Sequence, residues 1–248
     1  MIDLHTNGPV ARLTLNRPEV RNALAIRHWQ ALAETLAQVA TSGAQVLIVS
    51  GAGGAFSAGA DLSEFETFLD DPAARTAFRE AMRSAMDGVA ALPLATIAWI
   101  DGPCFGAGVA LAMACDLRLA SPTARFAITP AKMGIGYPQE DVARLVSLVG
   151  PGWASRLLFT GAAIDAATAE RISLIEGMLD SPDALIAEMA ACDPGSIAML
   201  KRGIGLARGG IASDPEQDAR FDAMLGSEIL RDRLSRRRAP AVLPPATP

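Results

Sequence analysis

Residues 95–120, ATIAWIDGPCFGAGVALAMACDLRLA, place the tightest constraint on this chain. They read as an apolar strand (Ala95–Ile100), a tight loop (Asp101–Gly106), a helix of small residues (Ala107–Ala114) and a second strand (Cys115–Ala120). A helix that is apolar on every side has no face to offer to water, so it belongs in the interior. Gly102, Gly106 and Gly108 let the chain turn sharply and let another group approach closely. The first N–H groups of such a helix have no intrahelical acceptor and, once buried, must find a partner. An oxygen carrying negative charge suits that place, because the helix dipole favours it too. A structural turn without a ligand would use the same residue types.

The rest of the chain sets strands before helices. Ile2–His5 and Val10–Asn16 read as a strand pair, Ala23–Ala40 as an amphipathic helix and Val46–Ser50 as a buried strand. Phe65–Asp71 is expected to be a short helix and turn. Pro72–Leu92 is expected to be a long helix, opened by one proline and followed by another, Pro93. After the central stretch come a short strand (Arg125–Ile128), an irregular loop (Thr129–Pro138) and helices at Gln139–Leu148, Pro151–Phe159 and Asp165–Arg171. From Pro182 to Arg238 the pattern is helical only, with segments at 182–191, 194–207, 215–225 and 228–238. This order predicts an α/β core over residues 1–190 and a helical C-terminal region over 191–248, ending in a tail too proline-rich to pack.

With 248 residues, half of them apolar, the chain can bury a large core. A formal charge of −5 argues against a nucleic-acid or anionic-membrane surface. Three cysteines without paired spacing suggest a reducing compartment and neither a disulfide framework nor a zinc site. The N-terminus lacks the basic start and apolar run of a signal peptide, and no stretch is long enough to span a membrane, so a cytoplasmic location is expected.

Two glycine-rich loops each follow a buried strand: one runs from Gly51 through Ala60, the other ends at Ala107. Side by side, they would offer two backbone N–H donors to one oxygen, the arrangement that stabilises an enolate or a tetrahedral oxyanion.

Three segments carry a resemblance: NRPEVRNAL (16–24), GAGGAFSAGADL (51–62) and DGPCFGAGVALAMACD (101–116). Together with GPGWASRLLFTGAAIDAATAERISLIE further on, they resemble the enoyl-CoA hydratase/isomerase family, the crotonase superfamily, over nearly the whole chain. The resemblance implies a crotonase-like α/β spiral of repeated ββα units with a helical C-terminal trimerisation region, assembled as homotrimers or as hexamers built from two trimers. It implies an acyl-CoA thioester substrate, with coenzyme A entering as part of the substrate and no separate cofactor or metal. The thioester oxygen would lie between the N–H groups of Ala60 and Ala107, the latter standing where the family usually has glycine. Arg21, Ala23, Leu24, Ala58, Asp61 and Leu62 match positions that line the coenzyme A adenine and pantetheine.

The departures from the family pattern bear on the reaction. The two glutamates with which hydratases of this family handle the proton and the water correspond here to Ala110 and Pro130. A carboxylate used by isomerases and dehalogenases of the family corresponds to Pro138. None of these can transfer a proton, so ordinary hydration is not expected. Tyr137, the only tyrosine, resembles a feature of the methylmalonyl-CoA decarboxylase branch, where the leaving carboxylate removes the need for a base; a ring packed with its hydroxyl at the pocket rim is the other reading. Glu140 is read either as a displaced general base or, with Asp141, as an acidic helix start favoured by the dipole. Glu64, Glu66 and Lys132 are weaker candidates, and His5, His28 and Cys104 form no catalytic constellation. The basic run Arg231–Arg238 reads as a solvated face, a phosphate contact or a subunit contact. The functions left open are decarboxylation, isomerisation, thioester hydrolysis and acyl-CoA binding without catalysis.

Overall fold

The structure, a computed structural model, describes residues 1–238; the tail expected to be loose, 239–248, lies outside the described residues. The described residues divide into two compact units, Met1–Pro194 and a second that begins at Gly195, a few residues beyond the boundary drawn at 190/191 from the sequence.

The first unit is built on a six-stranded sheet of order β1-β2-β3-β4-β6-β9. Its strands are β1 (Ile2–Asn7), β2 (Val10–Leu15), β3 (Val46–Gly51), β4 (Ala95–Ile100), β6 (Leu117–Ala120) and β9 (Gly177–Met178). Only the β1–β2 pair is antiparallel; every later pairing in this sheet is parallel. A second sheet, β5-β7-β8, joins β5 (Pro103–Phe105), β7 (Arg125–Ala127) and β8 (Ile164–Asp165). The chain alternates between the sheets. It runs β4, β5 and helix α4 (Ala107–Ala114), then β6, β7 and helix α5 (Gln139–Thr160). The segment after β3 makes the same excursion, since Ser57 bridges Cys104 of β5 in parallel. These repeats are successive turns of a ββα spiral, and they stack the loops that follow β3 and β4 directly on one another.

Helix α1 (Ile26–Thr41) packs on the long helix α3 (Pro72–Ala91). Trp29, Leu32, Leu36 and Val39 meet Ala81, Met82, Ala85, Met86 and Val89 at helical spacing, all of them buried. Asp71 starts α3 by accepting from the N–H groups of Ala73 and Ala74. α4 is buried from Gly108 to Ala114, as its composition predicted. Burial of each large apolar side chain contributes on the order of 2 kcal/mol. Arg118, itself buried, ties β6 to the segment before β9 by pairing with Glu176 and donating to the carbonyls of Cys115 and Leu174.

Helices α2 (Phe65–Asp70), α6 (Ala166–Arg171) and α7 (Asp183–Ala190) complete the first unit. In the second, α8 (Pro194–Arg208), α9 (Pro215–Leu225) and α10 (Glu228–Arg238) follow in order. Arg202 joins α8 to the start of α9 through Asp214, Glu216 and Gln217.

Several expectations need correction. The loop 101–106 contains strand β5, which pairs with residues distant in sequence. The loop 129–138 holds a 3-10 turn, Pro130–Met133. The helices expected at 139–148 and 151–159 stack end to end, broken only at Gly150 (φ 73°, ψ 165°). The first helix starts at Ile26 and not Ala23, because residues 21–24 have other work: Arg21 and Asn22 take left-handed φ values of 51° and 57°, and Leu24 bridges Ala60.

Candidate active site

The loop after β3 is fastened from below by Asn22. Its buried amide donates to the carbonyls of Ala52 (2.9 Å) and Ala55 (2.8 Å) and accepts from the N–H of Arg17 (2.8 Å). The left-handed backbone this requires is one that asparagine tolerates. Ser57 adds a second tie: its hydroxyl donates to Asn22 C=O (2.8 Å) and accepts from Gly59 N–H (3.0 Å).

This fastening fixes the direction of the Ala60 amide. Leu24 donates to Gly59 C=O (2.8 Å) and accepts from Asp61 N–H (3.0 Å), so the residues on either side of Ala60 are the ones paired with the neighbouring segment. In a parallel bridge, the N–H of the residue between them points the other way. The second amide belongs to Ala107, the first residue of α4, whose N–H lies outside the intrahelical ladder. Among the described residues, neither N–H donates to a protein acceptor.

The two loops touch. Gly59 has φ +95°, and a Cβ there would lie 2.7 Å from Phe105 C=O and 3.0 Å from Ala107 N. Gly108 is equally confined, since its Cβ would fall 2.9 Å from Ser57 Cβ and Ser57 O. Only glycine allows the backbones to come this close.

Ala60 and Ala107 open into a cavity of about 240 Å3. Ala58, Leu62, Phe65, Phe78, Met82, Pro130 and Tyr137 are among its walls. Thus five of the residues singled out from the sequence are brought together: Ala58, Ala60, Leu62, Ala107 and Tyr137. Ala23 and Leu24 are buried beneath the loop, and Arg21 is exposed, joined to the loop only through its carbonyl, which accepts from Ala58 N–H (2.7 Å). Asp61 is already engaged, paired with Arg17 at 3.0 Å and capping Ser63. Hydrogen bonds from Ser63 and Arg17 hold its carboxyl below the usual range.

Tyr137 does not present a free hydroxyl. It donates to Gly106 C=O at 3.0 Å. That carbonyl and the Ala107 N–H belong to one peptide group. A donor on the oxygen polarises the peptide and strengthens its N–H. Burial, with the nearby Asp141 charge, pushes the phenol well above its ordinary pKa, so the ring stays neutral and keeps its proton on Gly106. The hydroxyl is therefore held on the carbonyl of the peptide whose N–H belongs to Ala107.

Glu140 is not drawn into this cavity. Its side chain is 63 % exposed, lies 3.8 Å from Arg83 and lines a neighbouring cavity between α3 and the start of α5. Its neighbour Asp141 is the buried one. It sits 3.4 Å from Arg83 and 3.5 Å from Arg144, with one carboxylate oxygen lacking a hydrogen bond. Burial raises its pKa against the pull of the two arginines. Consecutive helical residues point about 100° apart, so the sequence marked an acidic helix start without telling which acid turns inward. His28, buried near the first loop, accepts from Ala25 N–H at 3.1 Å. Its pKa is lowered to about 4, by desolvation first and by Arg17 second. No group of three or more metal-ligating side chains is found among the described residues.

The family model for enoyl-CoA hydratase/isomerase matches residues 5–198. The chain belongs to the enoyl-CoA hydratase/isomerase family. Among its relatives is the "probable enoyl-CoA hydratase echA6" of Mycobacterium bovis, 33 % identical over 204 residues, covering 82 % of this chain and 81 % of that one. Solved structures of the family agree in fold. One is an enoyl-CoA hydratase/isomerase family protein from Hyphomonas neptunium: TM-score 0.88, 35 % identity, covering 94 % of this chain and 93 % of that one. Another, an enoyl-CoA hydratase/carnithine racemase from Magnetospirillum magneticum, gives a TM-score of 0.89 at 31 % identity, covering 96 % and 92 %. The crotonase fold expected from the sequence is therefore the fold observed. Among the described residues no carboxylate lines the cavity. Among the described residues no helix is long and apolar enough to cross a membrane.

Proposed function

We propose that this protein binds an acyl-CoA thioester with its carbonyl oxygen between the N–H groups of Ala60 and Ala107, and stabilises the enolate or oxyanion that forms there. The observation that carries this reading is the pair of unengaged amides on abutting loops, facing one apolar cavity. Such a pair favours charge on the oxygen, and in known enzymes loss of one donor costs about 3–4 kcal/mol in the reacting state.

On this reading the reaction runs without a protein carboxylate at the reacting carbon. Ala110, fully buried in α4, and Pro130, a wall of the cavity, stand at the positions that the resemblance gives to the family's glutamates, and no carboxylate among the described residues lines the cavity in their stead. This favours decarboxylation, in which the departing carboxylate leaves its electron pair on the α-carbon, over hydration of an enoyl group. Tyr137 then acts through the Gly106–Ala107 peptide. Thioester hydrolysis and isomerisation are further outcomes of the same site, and binding without turnover is the alternative to catalysis. Exposed Leu200, Ile204, Phe221 and Leu225 in the C-terminal unit support self-association, as in a trimer or hexamer.

The test is a thioester panel: crotonyl-CoA for hydration, malonyl- and methylmalonyl-CoA for loss of carbon dioxide, and saturated acyl-CoA for binding. Rapid hydration of crotonyl-CoA would refute the argument from missing carboxylates. Failure of every thioester to bind would refute the proposal itself.

A further inference from the structure

Among the described residues, Arg79 is the single charged one lining the apolar cavity. It comes from α3, between Phe78 and Met82 of the same wall, and it also lines the neighbouring cavity of about 330 Å3. Three of the other charged residues around that second cavity, Arg83, Asp87 and Glu140, are paired. Arg83 faces Asp87 at 3.2 Å, Asp141 at 3.4 Å and Glu140 at 3.8 Å. Arg144 faces Asp87 at 3.3 Å and Asp141 at 3.5 Å. Arg79 has no ion pair or hydrogen bond to a side chain among the described residues. Glu80 also lines that second cavity, but it makes no ion pair with Arg79, and successive helical residues do not face each other. Arg75, Arg79 and Arg83 recur at four-residue spacing, where like charges repel; three carboxylates relieve Arg83 and none relieves Arg79.

We propose that Arg79 receives a second carboxylate carried by the acyl group, so that the substrate class is the CoA thioester of a dicarboxylic acid. The inference rests on the reading of this cavity as an acyl-CoA site. A guanidinium offers a planar fork that matches a carboxylate with two parallel hydrogen bonds. The surrounding walls, Phe65, Phe78 and Met82, suit the methylene part of such a chain. Among the described residues no carboxylate lines this cavity to compete for the arginine. An anion entering so apolar a space is favoured by a cation at its wall.

The phosphates of coenzyme A are another source of anionic oxygen, and the experiment separates the two. Isothermal titration of the full chain compares succinyl- and glutaryl-CoA with the neutral butyryl- and pentanoyl-CoA of equal chain length, at one fixed ionic strength. The wild type is expected to bind at least one dicarboxylyl thioester about tenfold more tightly than its neutral counterpart. In Arg79→Met that ratio falls towards one, and Arg79→Lys restores part of it. Arg79 is exposed on α3, and circular dichroism verifies that both variants fold. Equal affinities in the wild type, or a preference that survives in Arg79→Met, would overturn the proposal. So would a uniform loss for both classes in that variant, which marks a phosphate contact. Those results leave the acyl-CoA reading standing, whereas absence of binding by all four thioesters removes both.

Discussion

Replacing Ala107 by proline deletes one of the two proposed donors and little else. Ala107 is the first residue of α4, and its N–H bonds no protein acceptor among the described residues. Proline is well tolerated at that helical position, because the hydrogen it lacks would be unsatisfied anyway and its fixed φ suits the helix. Gly106 before it, at φ 51° and ψ −119°, is not in the α region that a following proline disfavours. Stability should therefore change by less than about 1 kcal/mol. The ligand should respond more strongly. A hydrogen bond to a neutral thioester oxygen is worth about 1 kcal/mol, or some fivefold in Kd. The ring carbon that replaces the hydrogen also intrudes where the oxygen would lie. On a charged oxygen the loss rises to about 3–4 kcal/mol, a factor of roughly a hundred to a thousand in turnover. Calorimetric titration with an acyl-CoA, and rate measurement on whichever thioester the panel identifies, read the two effects separately. A folded Ala107→Pro protein that binds as well as the wild type would refute the reasoning.

Three further outcomes follow from the same geometry. Tyr137→Phe removes the hydrogen bond on the Gly106 carbonyl, which still accepts from Val109 N–H at 3.0 Å; turnover should fall by about tenfold with the shape of the pH profile unchanged, while a lost ionisation in that profile would make the hydroxyl a proton donor instead. Gly59→Ala should cost several kcal/mol more than Gly54→Ala in chemical denaturation, because both have positive φ but only Gly59 has backbone atoms in the way; equal costs would remove the packing argument. His28, near 6.5 when unfolded and about 4 when folded, leaves stability intact above pH 6.5 and takes it away as pH falls towards 4. Between pH 7 and 5 that amounts to about 1–2 kcal/mol, and His28→Asn should flatten this part of the curve in urea titrations.

Much of the fold was legible because its signals are local. The all-apolar run fixes α4 at Ala107–Ala114, and Asp214 with Pro215 marks the start of α9. The capping and proline rules need only neighbouring residues. β5, β8 and β9, of two or three residues each, owe their existence to pairing with distant segments, and no local pattern reveals them. The donor loops were legible as glycine-rich turns, whereas the direction of the Ala60 amide required Leu24 to be in place. Asn22, which fastens the first loop, stood in view within NRPEVRNAL, and the signal that could have found it is the tolerance of asparagine for left-handed backbone. Arg79 sits in an ordinary charged helix; its isolation is a fact of the three-dimensional arrangement of Asp87, Glu140 and Asp141 around Arg83 and Arg144.

The central claim meets its most direct measurement in a crystal structure of the protein with an acyl-CoA bound. The account predicts the thioester oxygen at about 2.7–3.1 Å from both the Ala60 and the Ala107 nitrogens. A thioester seated with its oxygen on other groups, or with either amide turned to a protein carbonyl, would contradict it.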